Sequence, residues 1–180
     1  MKILIINNNT NYLKEIKETF DQFNYEIINF EKIKCGDAEK FTHIILTGGK
    51  EKLDFEKFKE VMKIIKNSNK PILGICFGHQ LICKFFGTDI KKINYRKGNL
   101  KIKKIKEDKI FKNLGDEIEI YEDHEYIIKN ISKELVSLAE SIDGNEIIKH
   151  KLKKIYGFQF HPEKTKDGKK LIKNFINNFL

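Results

Sequence analysis

Arginine occurs once in the 180 residues, at Arg96, proline twice and tryptophan not at all. A single arginine removes nearly all of the planar, bidentate donors that read guanine edges and clamp phosphates, so no nucleic-acid partner is expected despite a net charge of +9. The 35 basic and 26 acidic side chains are interspersed, as in Lys14-Glu15 and Glu56-Lys57, which is the texture of a solvated lysine-rich surface. Cysteine is confined to Cys35, Cys76 and Cys83, an odd number at irregular spacing. That excludes a disulfide framework and fits a reducing compartment. Long apolar runs are missing as well. Residues 3–6, 44–46 and 71–77 fall far short of the ~18 residues that span a bilayer, and no apolar leader follows Met1-Lys2. A cytoplasmic protein with no membrane partner is expected.

What is present suffices for a core: 40% of the residues are hydrophobic and 11 are glycine. The length suits a single domain spanning residues 1–180. Residues 2–7 (KILIIN), 25–30, 43–47 (HIILT) and 71–75 (PILGI) read as strands. Between them lie helical spacings: Leu13, Ile16, Phe20 and Phe23 after a cap at Thr10 or Asn11, and Phe55, Phe58, Val61, Met62 and Ile65 after a cap at Asp54. A third helix covers 78–86. After Gly87 shorter runs at 100–105, 118–121, 135–139, 146–148 and 155–160 alternate apolar and polar residues, and a closing helix covers 168–179. The expected fold is α/β, a mostly parallel central sheet flanked by helices with an additional antiparallel strand region.

Two segments carry chemistry. Gly74-Ile75-Cys76-Phe77-Gly78 joins an apolar strand to a helix and has the form of a nucleophile elbow. There the thiol of Cys76 projects at the carboxyl edge of the sheet, and the first amides of the following helix favour its thiolate. Flanking glycines at a strand end favour this reading over a merely buried cysteine. The second segment is Gly157-Phe158-Gln159-Phe160-His161-Pro162-Glu163. Proline biases His161 toward extended backbone, and residues two apart on an extended chain share a side, so Glu163 is expected beside His161. Taken alone, this segment reads equally as a turn with a surface histidine. Paired with Cys76, it supplies the base and orienting group of a triad. Among the remaining candidates, His79 is read as structural, His43 as a strand-end residue, His150 as solvent-facing and Cys83 as core. Cys35 carries no assignment, and no metal site is expected.

Residues 71–80, with their CFGHQ, residues 156–163 and the Gly48-Gly49 turn resemble the class I, triad-type glutamine amidotransferases along essentially the whole chain. Residues 78–87 are most similar to the separate amidotransferase subunits of archaeal-type GMP synthetases. Anthranilate and aminodeoxychorismate synthase subunits have similar pieces. The resemblance implies a flavodoxin-like fold and glutamine hydrolysis, with Cys76 as nucleophile, His161 as base and Glu163 as its orienting group. It also implies an oxyanion hole from the backbone N–H groups of Gly49 and Phe77, and substrate binding by Gln80 and His124. The ammonia would pass to a separate synthetase subunit, which aminates xanthosine monophosphate to GMP. ATP and magnesium would belong to that partner, with no cofactor in this chain. Two departures stand out. Lys50 follows the glycine turn where the family commonly has proline, and the segment 121–126 has Asp123 and Tyr126 where the resembled subunits have serine and aspartate. The alternatives are an amidotransferase for another synthase, a stand-alone γ-glutamyl hydrolase and a non-catalytic binding paralogue.

Overall fold

The computed structural model describes residues 1–51, 54 and 56–180. Among these, nine strands form one sheet: β1 Ile3–Asn7, β2 Tyr25–Asn29, β3 His43–Leu46, β4 Ile72–Ile75, β5 Ile90–Lys104, β6 Glu117–Ile128, β7 Leu135–Glu140, β8 Asn145–His150 and β9 Ile155–Phe158. The helices are α1 Leu13–Phe20, α2 Lys59–Asn67, α3 Phe77–Phe85 and α4 Lys166–Asn177. The order across the sheet is β2-β1-β3-β4-β9-β8-β7-β5-β6. The pairings are parallel from β2 to β9 and antiparallel from β9 to β6.

The parallel strands are apolar on both faces because helices cover both. Ile3, Ile5, Ile45, Leu73 and Ile75 pack with Ile16 and Phe20 of α1 and Leu171, Ile172 and Phe175 of α4. The alternate residues Leu4, Ile6, Ile44, Leu46 and Ile72 pack with Val61 and Ile65 of α2 and Leu81 and Ile82 of α3. Strand order reverses at β1, which has β2 on one side and β3 on the other. In open α/β sheets the crevice for a ligand lies at the carboxyl ends of strands near such a reversal.

Several boundaries differ from the sequence expectations. α1 ends at Phe20, and Phe23 closes a turn through its N–H to the Phe20 carbonyl at 2.9 Å. α2 begins at Lys59, because Asp54 Oδ1 accepts from the amides of Glu56 and Lys57 and so caps a turn before the helix. Phe55, assigned above to the apolar stripe of this helix, lies outside the described residues. β5 and β6 are much longer than residues 100–105 and 118–121. The outer half of this arm is exposed and lysine-rich, and its register shifts between Lys92 and Arg96, which erases the two-residue alternation. His150 is buried, 5% exposed, rather than solvent-facing. Its Nδ1 accepts from the amides of Leu152 and Lys153 at 3.0 and 2.9 Å, which fixes the turn between β8 and β9. Ile105, placed among the half-buried residues by its alternation, is 52% exposed beyond the end of β5.

Candidate active site

Cys76 follows β4 directly and stands at φ 47°, ψ −103°, a positive-φ conformation that L side chains rarely adopt. Such strain costs on the order of 1–3 kcal/mol and persists only where the surroundings impose it. Here they do: the Cys76 N–H donates to the Phe158 carbonyl of β9 at 2.7 Å, and its carbonyl accepts from the Gln80 N–H at 3.0 Å. The elbow closes tightly enough to require glycine on both sides. A β-carbon on Gly74 would lie 2.5 Å from the Gly78 carbonyl oxygen, and one on Gly78 would lie 2.4 Å from the Leu46 carbonyl oxygen.

His161 follows β9, and its N–H donates to the Tyr121 carbonyl of β6 at 2.8 Å. Nδ1 donates to Glu163 Oε1 at 2.9 Å, with both side chains almost fully buried. The contact is the one expected, but its local cause differs. Residues 162–164 form a single 3₁₀ turn rather than extended chain, with Pro162 in its first position, where a missing N–H costs nothing. That turn folds Glu163 back under the ring.

The loop after β3 brings the two halves together. A β-carbon on Gly48 would touch His161 Cε1 at 2.8 Å and Cys76 Cβ at 3.6 Å, so thiol and imidazole converge on the same glycine. Burial of the His161 imidazole works against its charge. The neighbouring Cys76 sulfur, then Glu163, outweigh burial and raise its pKa to about 10. The imidazole is thus held protonated, with a sulfur on one side and a carboxylate behind it.

The N–H groups of Gly49 and Phe77 have no acceptor among the described residues. Phe77 opens α3, so its amide is one of the orphan donors of a helix start. Gly49 packs where a β-carbon would lie 2.1 Å from the Asn8 carbonyl oxygen, and Asn8 is anchored to Thr47 by two hydrogen bonds at 3.0 and 2.8 Å. Cys76, Phe77, Gly49, Gln80, His124 and His161 all line one cleft of about 850 Å³. Its floor is built from the carboxyl ends of β1, β3, β4 and β9. Glu163 lies behind His161 and does not line the cleft.

The other sequence candidates divide cleanly. His79 is fully buried on α3 against Gly157 and Cys83. Burial, then the neighbouring His124, push its pKa down to about 3, so it is a neutral core residue. Cys83 is buried beside it, and burial drives its thiol far up. His43 is buried between Thr42 Oγ1 and the Ile176 carbonyl. Among the described residues no three His, Cys, Asp or Glu side chains are grouped to hold a metal ion. No described helix is long and apolar enough to cross a membrane.

Tyr12, Tyr95 and Lys97 also line the cleft, and sequence pattern did not single them out. Tyr12 sits edge-on to His161 with ring centroids 4.6 Å apart. It follows β1 at the carboxyl edge, so strand order would have pointed to it. Tyr95 sits on the outer arm, where the sequence carries no signal.

The family model for class I glutamine amidotransferases matches residues 3–179. The chain belongs to the class I glutamine amidotransferase family. Curated relatives of this amidotransferase include subunits of glutamine-hydrolyzing GMP synthases. The one from Methanococcus vannielii is 37% identical, covering 96% of this chain and 94% of the relative. The one from Methanosphaera stadtmanae is 34% identical, covering 97% and 96%. A crystal structure from Thermoplasma acidophilum, provisionally described as that of a GMP synthase subunit, superposes with a TM-score of 0.89 at 28% identity, covering 98% of this chain and 92% of that one. A Thermotoga maritima amidotransferase shares the fold at a TM-score of 0.74 and 18% identity, covering 99% and 82%.

Proposed function

We propose that this amidotransferase hydrolyses glutamine at Cys76 and delivers the ammonia to a separate synthetase subunit that aminates xanthosine monophosphate to GMP. The convergence of Cys76 and His161 on Gly48, with Glu163 behind the ring, carries the reading. The names of the relatives support the acceptor. In this scheme the Cys76 sulfur attacks the side-chain amide carbon of glutamine. The oxyanion takes hydrogen bonds from the Gly49 and Phe77 amides, each donor contributing about 2.7–4 kcal/mol where such donors have been removed elsewhere. His161 gives its proton to the departing nitrogen, and the C–N bond breaks to leave ammonia and a glutamyl thioester. His161 then takes a proton from water, which attacks the thioester and frees glutamate and the thiol. Glu163 keeps the ring oriented throughout. Gln80 contacts the substrate from the cleft wall, whereas the ring nitrogens of His124 are buried, with Nε2 3.7 Å from Glu122, and do not reach it; ATP and magnesium belong to the synthetase.

The test is glutamate release by the chain alone and with the synthetase subunit, ATP, magnesium and xanthosine monophosphate, beside a Cys76→Ala control. Release that rises several-fold on assembly, with GMP formed from glutamine and none from Cys76→Ala, is expected. Full turnover without a partner would make the chain a stand-alone hydrolase. No release and no Cys76 labelling would make it a binding paralogue, and ammonia passed only to another synthase would change the acceptor.

A further inference from the structure

We propose that Lys164 is a positioning residue for the triad: clamped between Glu15 and the rings of Tyr12 and Tyr121, its side chain holds both the turn that carries Glu163 and the ring that flanks His161. The inference rests on the glutamine reading above and adds to it a residue outside the cleft lining. Glu163 shows why such a tie is needed. Its Oε1 accepts from the imidazole, but its buried Oε2 has no hydrogen-bond partner among the described residues. A single bond to a ring that must itself be oriented leaves the direction of the carboxylate to the backbone beneath it, the 3₁₀ turn 162–164.

Lys164 fastens that turn twice. Its N–H donates to the His161 carbonyl at 3.2 Å, and its Nζ leaves the turn to donate to Glu15 Oε1, in the first turn of α1, at 2.9 Å. The pair joins residues 149 apart in the chain. Its side chains are 26% and 28% exposed, against 86% and 55% for Lys14 and Glu18 on open surface, so water screens it less. Each member favours the charged form of the other: the Lys164 hydrogen bond holds Glu15 below the ordinary carboxylate range, and Glu15 holds Lys164 above the ordinary ammonium range.

The same ammonium lies 4.7 Å from the centre of the Tyr12 ring and 5.5 Å from that of Tyr121, within reach of cation–π attraction to both. Tyr12 is the ring that stands edge-on to His161, and its hydroxyl donates to Asp123. Tyr121 gives its carbonyl to the His161 N–H. One cation therefore gathers α1, the loop after β1, β6 and the 162–164 turn, the pieces of chain that must keep register around the imidazole.

The test is steady-state kinetics of the assembled enzyme with glutamine, together with NMR titration of His161 Cε1–H in the full chain, for wild type, Lys164→Met, Lys164→Arg and Glu15→Gln. Misplacing a catalytic group by about an ångström can cost ~10²-fold, so loosening the turn predicts kcat lowered about tenfold in Lys164→Met, with KM within about twofold. Glu15→Gln should show a smaller fall in the same direction, and Lys164→Arg, which keeps the charge, should recover most of the rate. The titration separates positioning from mere charge. Cys76, Glu163 and Asp123 act on the ring in every variant, so deleting a nearby positive charge would by itself raise the imidazole pKa, whereas loosening the contact with Glu163 lowers it. A value below that of wild type in Lys164→Met, restored in Lys164→Arg, is expected. An unchanged kcat, or a His161 pKa unchanged or raised, in folded Lys164→Met, or in Glu15→Gln if that variant does not fold, would overturn the proposal and leave glutamine hydrolysis standing. A wild type that releases no glutamate would overturn the glutamine reading, and the titration, which needs no turnover, would still decide for or against Lys164.

Discussion

His161 is buried, and its imidazole would not be charged there alone. The adjacent Cys76 sulfur is the first of the groups that hold the imidazolium, ahead of Glu163, so removing it should release the proton. The Cε1 proton resonance of His161, followed by NMR, should titrate near 10 in the wild type and several units lower in Cys76→Ala, where burial is left to dominate. A folded pKa above the unfolded value near 6.5 means that the contribution of His161 to stability is fully present below about 6.5 and is lost as pH climbs through about 10. Glu163→Gln keeps the shape and removes the charge behind the ring. By analogy with other triads kcat should fall by up to about 10⁴-fold while the fold survives, as measured by glutamate release and thermal melting. At this scale the sequence was legible where chemistry is bound to local geometry: glycines on either side of Cys76 announce the elbow, and proline after His161 announces a constrained histidine. It was silent about Tyr95 and misleading about His150. Those roles depend on partners brought together by the sheet, which lysine-rich surroundings do not advertise.

The loops after β1, β3, β4 and β9 position the site, and their glycines separate two kinds of constraint. Gly48→Ala would place a methyl group 2.8 Å from His161 Cε1 in the cleft, with the ring as the group that must yield. Activity should fall at least about tenfold with little change in melting temperature, because the displaced group is a side chain. Gly74→Ala presses instead on the Gly78 backbone at 2.5 Å. Overpacking of that kind costs about 1–3 kcal/mol, so the variant should melt several degrees lower as well as lose activity. The parallel strands were legible as continuous apolar runs because helices cover both of their faces. The arm of β5 and β6 was only half legible. Its inner end shows the alternation of Leu100 and Ile102, while its outer end is exposed and has a shifted register between Lys92 and Arg96. Exposure without an apolar face leaves no periodicity to read.

Across the whole molecule, sheet order is what converts residues distant in the chain into one site. β9 inserts beside β4, so a histidine near the carboxyl end of the chain meets a cysteine near its middle. β6 runs past the end of β9 and lends its Tyr121 carbonyl to hold His161. Neither adjacency is written in hydrophobic pattern; each follows from long-range pairing. The most direct measurement is peptide mapping by mass spectrometry after the assembled protein reacts with 6-diazo-5-oxo-L-norleucine, a glutamine analogue that alkylates an activated thiol. One adduct on Cys76, abolished by Cys76→Ala and strongly slowed by His161→Ala, is the predicted result. Labelling of Cys35 or Cys83 instead, or labelling of Cys76 at the same rate without His161, would contradict the account.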